Sequence, residues 1–246
     1  QRGRRRNPAR ADGMTPAAAR APAPGSAGPP VPPGLAVVFA DEALLVFDKP
    51  AGLLAVPGRG DDKQDCLASR AQQQWPDALV VHRLDMATSG LIVMARNPPA
   101  QRALNLAFEK RQVHKQYEAV VDGHLDAPGT PDGWGLVDLP LIVDWPNRHR
   151  SIVDHSLGRP ARTRWRVLEH DPVAGTTRVL LEPVTGRSHQ LRVHLQALGH
   201  PILGDLLYAP PDTQAAAPRL LLHARKLALF HPATGQALQF DCPAPF

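Results

Sequence analysis

The chain has 246 residues and a formal net charge of +5, from 28 Lys and Arg against 23 Asp and Glu. Its composition, with 43% hydrophobic and 21% charged residues, is typical of a globular protein and excludes a fibrous one. A membrane-spanning protein is also excluded, because no apolar run approaches the roughly 18 residues that cross a bilayer. Two cysteines are too few for a disulfide framework and lack metal-ligand spacing, so we expect a cytoplasmic protein without membrane contact.

The N-terminal segment 1–34 differs in composition from the rest of the chain. It contains six Arg, one acidic residue and eight of the 27 prolines, which leaves residues 35–246 formally neutral. Such a segment cannot bury enough apolar surface to offset the entropy cost of ordering, so we predict a disordered arm over 1–34 and one folded domain over 35–246. The arm is either a solvated tail or a source of phosphate contacts, and Met14 within it is a candidate start of translation.

In chain order, the folded part shows many strand-like apolar runs and few helical patterns. The predicted strands are 35–41, 44–49, 80–82, 91–95, 117–121, 163–168, 178–182, 220–222, 226–230 and 237–240. The predicted helices are 65–74, 98–111 and 189–198. The turn composition of 231–235 makes the last two strands an antiparallel hairpin. Strands that follow one another without intervening helices predict an α+β fold on a mainly antiparallel mixed sheet with flanking helices.

A polar insert separates two apolar runs in segment 80–96. It reads HRLD at 82–85 and TSG at 88–90, and it places a lone carboxylate, Asp85, at the end of a strand. Connections on a rigid scaffold often present reactive groups, but Asp also commonly caps a turn. Residue chemistry alone favours the cap.

A second polar segment, 181–208, concentrates hydrogen-bond donors between glycine turns. The donors are Arg187, His189, Gln190, Arg192 and His194. This pattern suits an anionic or hydrogen-bonding ligand, with a solvated helix face as the alternative. The sequence lacks the usual phosphate-loop, dinucleotide, zinc-protease and serine-hydrolase motifs.

Together these segments resemble the RluA family of pseudouridine synthases. The resemblance is carried, in the family's order, by DKPAGL at 48–53, HRLDMATSGL at 82–91, KQYEAVVDG at 115–123, and TGRSHQLRVH at 185–194 followed by GDLLY at 204–208. It implies the pseudouridine synthase fold with a central RNA-binding cleft. It also implies isomerisation of uridines already in structured RNA, with no metal and no cofactor.

The run DWPNR at 144–148 resembles one subgroup of that family. Members of this subgroup act on an anticodon stem-loop uridine of tRNA and on a hairpin uridine of large-subunit rRNA. His149 departs from the pattern, because Pro is expected there. The resemblance therefore implies tRNA, large-subunit rRNA or both as partners of a chain that we expect to be monomeric.

By resemblance, Asp85 is the essential carboxylate, which either attacks covalently or abstracts a sugar proton. An Asp moved out of water resists ionisation unless a cation compensates, and we assign Arg187 as its ion-pair partner. Tyr117 is assigned to stacking on uracil and to relaying the proton from C5, and Leu191 to the opposite wall of the base pocket.

The remaining assignments concern RNA binding. Arg83 fills the space that a flipped uridine vacates, at an unstacking cost of roughly a few kcal/mol. Lys49, Arg148 and Arg192 are assigned to phosphate contacts, and the motif residues His82 and Thr88 to substrate binding. His189 and His194 are interpreted as structural or RNA-contacting.

Two other functions stay open at this stage. One is a catalytically silent RNA chaperone on the same scaffold, which would have no need of Asp85, Tyr117 and Arg187 together. The other is an aspartate-nucleophile hydrolase, for which the sequence offers no group that activates water.

Overall fold

A computed structural model describes residues 35–246, so the predicted arm at 1–34 lies outside the described residues. The strands are β1 Ala36–Ala40, β2 Leu44–Lys49, β3 Leu79–Val80, β4 Ser89–Ala95, β5 His114–Asp122, β6 Gly135–Asp138, β7 Leu141–Val143, β8 Ser151–Val153, β9 Arg162–Asp171, β10 Thr176–Pro183, β11 Leu222–Phe230 and β12 Ala237–Asp241. The helices are α1 Leu67–Gln74, α2 Pro98–Glu109, α3 Gln190–Ala197 and α4 Pro211–Ala215.

Ten strands form one sheet, whose central path runs β1-β2-β4-β11-β5-β10-β9-β6. β3 joins it beside β4, and β12 beside β11. Every pairing is antiparallel except that of β11 with β4, and β7 and β8 form a separate hairpin. Because the helices are few and lie against this sheet, the predicted α+β fold is confirmed.

The buried strands explain where the core lies. β4 has the sequence SGLIVMA and is buried along its whole length, as expected for a central strand covered on both faces. One face packs Phe47 and Ile92 with α1, and the other packs Val93 with Leu104 of α2. A third cluster sits between α3 and strands β5 and β10.

Gly90 is required where β4 meets β11. Its φ is +109°, and a Cβ there would collide with the Ala224 backbone of the parallel strand. This close approach fixes the start of β4, and hence the end of the loop that carries Asp85.

The predicted elements differ from the observed ones in a few places. The predicted strand 220–222 overlaps β11 only at Leu222, whereas 226–230 is the second half of that strand. The terminal hairpin is confirmed by the pairing of β11 with β12. The short strands β6, β7 and β8 and the five-residue helix α4 were not predicted. Among residues 35–246, no helix has the length and apolar character that a membrane-spanning segment needs.

Candidate active site

The loop 81–88, between β3 and β4, carries Asp85 and is held from behind by a buried cation. Lys49, which is fully buried, donates from Nζ to the carbonyl oxygens of Pro50 at 2.8 Å, Leu53 at 2.7 Å and Met86 at 3.1 Å. Lys49 therefore ties the turn after β2 to the residue next to Asp85.

Lys49 is not available to an RNA phosphate, so its predicted phosphate contact is wrong. Burial lowers the pKa of Lys49 to about 8, against the opposing effect of the nearby Asp85 charge. Its three donors point into the protein, where backbone carbonyls already accept them. The residue instead positions the loop that carries Asp85.

His82 and Thr88 also face inward. The backbone N–H of Val93 donates to His82 Nε2 at 3.0 Å, and the imidazole stacks on Phe108 with ring centroids 4.5 Å apart. Burial, with the positive charge of Lys115, lowers the pKa of His82 to about 3, so the ring is neutral. Thr88 is 2% exposed. The substrate-binding role predicted for Thr88 is wrong, because its side chain is enclosed behind the loop. The role predicted for His82, which is partly exposed, stays a prediction.

Arg192 of α3 lies beside the carboxylate. Its Nη1 is 3.7 Å from Asp85 Oδ2, while Nε and Nη2 donate to the two carboxylate oxygens of Asp205 at 2.8 and 2.6 Å. Burial opposes the charge of Arg192, but the hydrogen bonds and charge of Asp205 raise the pKa of the guanidinium above its ordinary value. Arg192 is thus a buried, permanently charged group aimed at Asp85 rather than a phosphate contact.

Arg187 does not pair with Asp85, so that prediction is wrong. It is exposed, and its Nε donates to the carbonyl oxygen of Pro160 at 3.2 Å. The physical reason is its place before α3, which begins at Gln190. Arg187 therefore lies in the preceding turn, whereas Arg192 projects from the helix face that packs into the cleft.

His189 is a site residue whose position the sequence did not reveal. Its Nε2 lies 3.9 Å from Asp85 Oδ1, and its Nδ1 is 2.7 Å from the hydroxyl of Tyr208. The same hydroxyl accepts the backbone N–H of Ser151 at 2.7 Å. Asp85 therefore has two basic side chains within 4 Å, Arg192 and His189, among the residues that the structure describes.

Tyr117 and Leu191 come together on the apolar side of the cleft. Tyr117 in β5 packs against both the α1 and the α3 clusters, and Leu191 belongs to the second of these. Burial, with the negative charge of Asp85, raises the pKa of Tyr117 well above its ordinary value. Tyr117 is therefore a protonated phenol close to the carboxylate, and its role toward the substrate stays a prediction.

Arg83 and Arg148 are exposed, which suits RNA contacts. Arg83 makes no hydrogen bond or ion pair with the described residues. Arg148 lies in the β7–β8 loop, where its guanidinium stands 5.3 Å from the ring centroid of Trp145, which is 66% exposed. Their assignments stay predictions.

One group of potential metal ligands occurs among residues 35–246: Asp48, His223 and Cys242. Both ring nitrogens of His223 are engaged, Nδ1 with Ser89 Oγ at 2.8 Å and Nε2 with the Cys242 carbonyl oxygen at 3.0 Å. Burial, with the nearby Asp48 carboxylate, raises the pKa of the Cys242 thiol to about 12, and His223 has no ring nitrogen left for a metal ion. These donors do not fit a metal site.

The chain matches known proteins over most of its length. Residues 43–197 match the family described as RNA pseudouridylate synthase. The dual-specificity RNA pseudouridine synthase RluA of Escherichia coli (strain K12) is 51% identical over 218 residues, covering 89% of this chain and 97% of the relative. The protein of that name from Yersinia pestis is 49% identical over 210 residues, covering 85% of this chain and 99% of the relative.

Solved structures agree with these relatives. Human RNA pseudouridylate synthase domain containing 1 superposes with a TM-score of 0.71 at 31% identity, covering 91% of this chain and 86% of that one. Human RNA pseudouridylate synthase domain containing 4 superposes with a TM-score of 0.65 at 27% identity, covering 85% of this chain and 88% of that one.

Proposed function

We propose that this chain, which belongs to the RNA pseudouridylate synthase family and to its RluA group of RNA-modifying isomerases, converts uridine to pseudouridine with Asp85 as the catalytic residue. We assign it two targets, an anticodon stem-loop uridine of tRNA and a hairpin uridine of large-subunit rRNA. The dual-specificity name of its relatives and the DWPNR run at 144–148 support this choice.

The observation that carries the assignment of the site is the setting of Asp85. Its side chain is 30% exposed, so a substrate can reach it, while Arg192 approaches it from the buried side. A cation within about 4 Å favours the ionised carboxylate even where substrate displaces water. Either role of Asp85, covalent attack or abstraction of a sugar proton, requires that ionised form.

The reaction breaks the bond between uracil N1 and C1′, turns the base and joins C5 to C1′, after which C5 loses its proton and N1 takes one up. The cleft suits a base held face-on, because Tyr117 offers an aromatic ring and Leu191 an apolar wall. Since the pKa of Tyr117 is raised, its phenol stays protonated before the reaction. It can therefore accept the C5 proton only by passing its own proton onward.

RNA has to deliver an unstacked uridine to this cleft. Arg83 is two residues from Asp85 and is exposed, which supports its assignment to the vacated space in the stem-loop. Arg148 on the hairpin loop is assigned to a phosphate contact. We assign the whole catalytic domain to 35–246, with the arm at 1–34 dispensable for the chemistry.

The test is tritium release from C5-labelled uridine in two transcripts, a tRNA and an rRNA hairpin. Asp85→Asn removes the ionised carboxylate, so it should abolish release from both transcripts while RNA affinity stays within a few-fold. Asp212→Asn, an exposed substitution on α4, is the matched control and should behave as the parent.

Persistent release by Asp85→Asn would overturn the assignment of the catalytic residue. Release from only one transcript by the parent protein would leave the chemistry in place and restrict the proposed targets to that RNA.

A further inference from the structure

The hydroxyl of Tyr208 connects two parts of the protein at the back of the active site. Tyr208 is 4% exposed, and its oxygen is 2.7 Å from the backbone nitrogen of Ser151 and 2.7 Å from His189 Nδ1. Ser151 is the first residue of β8, at the loop end of the β7–β8 hairpin, where it pairs with Val143. The Tyr208 hydroxyl therefore links the backbone of the hairpin to His189.

The arrangement determines which nitrogen of His189 carries the proton. A backbone N–H can only donate, so the phenol oxygen accepts from Ser151, and its single hydrogen needs an acceptor. His189 Nδ1 is that acceptor when its proton is on Nε2. The Nε2–H then faces Asp85 Oδ1, 3.9 Å away.

The charges around His189 agree with a neutral ring. Burial lowers the pKa of His189 below its ordinary value, and the positive charges of Arg192 and His149 lower it further. The carboxylates of Asp85 and Asp205 act in the opposite direction without reversing the shift.

The backbone of His189 is also constrained. Its φ of +56° lies in the left-handed region, which is strained for a residue other than glycine. Such a conformation persists where the surroundings determine it. Here it places the imidazole at the start of α3, between Tyr208 and Asp85.

We propose that His189 is a positioning residue for the reaction, whose Nε2–H holds and orients the Asp85 carboxylate, and that Tyr208 and Ser151 fix its tautomer. This inference rests on the proposed role of Asp85. The separation of 3.9 Å is too long for a hydrogen bond, and such contacts commonly tighten when substrate closes a site. The loop end of the hairpin thereby influences the chemistry as well as the RNA contacts on the loop itself.

The experiment compares His189→Gln with His189→Leu. Both variants place a residue other than glycine at the same φ, so their backbone cost is matched, but only Gln offers an amide N–H at a similar reach. A hydrogen bond to a charged group predicts a roughly 10- to 100-fold slower single-turnover rate for His189→Leu at saturating RNA. His189→Gln should recover most of that loss, and RNA affinity should stay within about threefold in both.

The pH profile supplies a readout that a purely structural role would not change. Losing a donor to the carboxylate should move the acid limb of the His189→Leu rate to higher pH, while His189→Gln keeps the parent profile. Equal rates for Leu and Gln, or a Leu variant as fast as the parent, would overturn the proposal.

Two further variants test the proposal independently of whether His189→Leu folds. Tyr208→Phe retains the ring beneath Arg192 and removes only the hydroxyl, so it should slow turnover several-fold at unchanged affinity even if His189→Leu fails to fold. An unchanged rate in Tyr208→Phe would contradict the proposal. Asp85→Asn, measured in parallel, separates the two claims, because activity in that variant would overturn the proposed function itself.

Discussion

The loop that carries Asp85 and the loop of the β7–β8 hairpin are held in opposite ways. Loop 81–88 is secured from inside, by Lys49 on three backbone carbonyls and by His82 on the Val93 amide. The hairpin loop, 144–150, instead holds itself at the surface: Asn147 Nδ2 donates to Asp144 Oδ2 at 2.9 Å. The contrast separates a rigid support for Asp85 from an exposed loop that we propose contacts RNA, as expected for sites built on a scaffold.

The largest effect should come from removing the inner support. Lys49→Met keeps an apolar stem of similar length but removes the Nζ donor of three carbonyls. The Met86 carbonyl then keeps only its hydrogen bond from the Gly52 N–H, so loop 81–88 is held less firmly. We expect kcat for pseudouridine formation to fall on the order of 100-fold, with RNA affinity within a few-fold. Lys63→Met, at an exposed position, is the control. Near-parent kcat in Lys49→Met would remove the distinction between the two loops.

The same lysine predicts how stability varies with pH. With a pKa of about 8 when folded and 10.5 as the ordinary value, Lys49 binds more protons in the unfolded chain between these pH values. The free energy of unfolding of the parent should therefore rise relative to Lys49→Met from pH 8 to 10.5, by roughly 1–3 kcal/mol. Urea unfolding of both proteins across this range measures the difference, and a constant difference would show that folding does not lower the pKa of Lys49.

Arg83 belongs to the loop that holds Asp85 but is exposed, so its substitution should affect both turnover and RNA binding. Arg83→Ala is expected to lower kcat/KM on the order of tenfold and to weaken productive binding, because the stem-loop loses the group that fills the vacated space. Arg102→Ala on α2 is a matched exposed control. Single-turnover rates at several protein concentrations separate the two contributions, and a change in neither would contradict the assignment.

The smallest effect should lie on the hairpin loop. Arg148→Ala should weaken RNA binding a few-fold, leave the single-turnover rate unchanged and lower the slope of log affinity against log salt by about one ion. Filter binding at several salt concentrations measures this. A slower rate at saturating RNA would instead place Arg148 in the chemistry.

Much of the fold could be predicted from the sequence, because its long apolar runs became long strands. β4 and β5 were both recognised in this way. The short strands β6 to β8 were not predicted from the sequence. Each has only three or four residues next to Gly, Pro or Asp, and so short a run has too little periodicity to be distinguished from a loop.

The sequence predicted some of the site residues correctly and misinterpreted others whose roles depend on burial. Asp85, Tyr117 and Leu191 were placed together by the motifs, and the structure brings them to one cleft. The sequence could not show which cations are buried. Lys49 and Arg192 were interpreted as phosphate contacts because charge is visible in a sequence, whereas enclosure by carbonyls or by Asp205 is a tertiary property.

The pairing of Asp85 with Arg192 rather than Arg187 is the central claim, and one comparison tests it most directly. Arg187→Gln and Arg192→Gln are assayed for tritium release at saturating RNA, with folding checked by thermal melting. We predict that Arg187→Gln keeps a rate within about threefold of the parent and that Arg192→Gln loses on the order of 100-fold or more. A rate in Arg187→Gln as low as that of Asp85→Asn, in a protein that melts like the parent, would contradict the account.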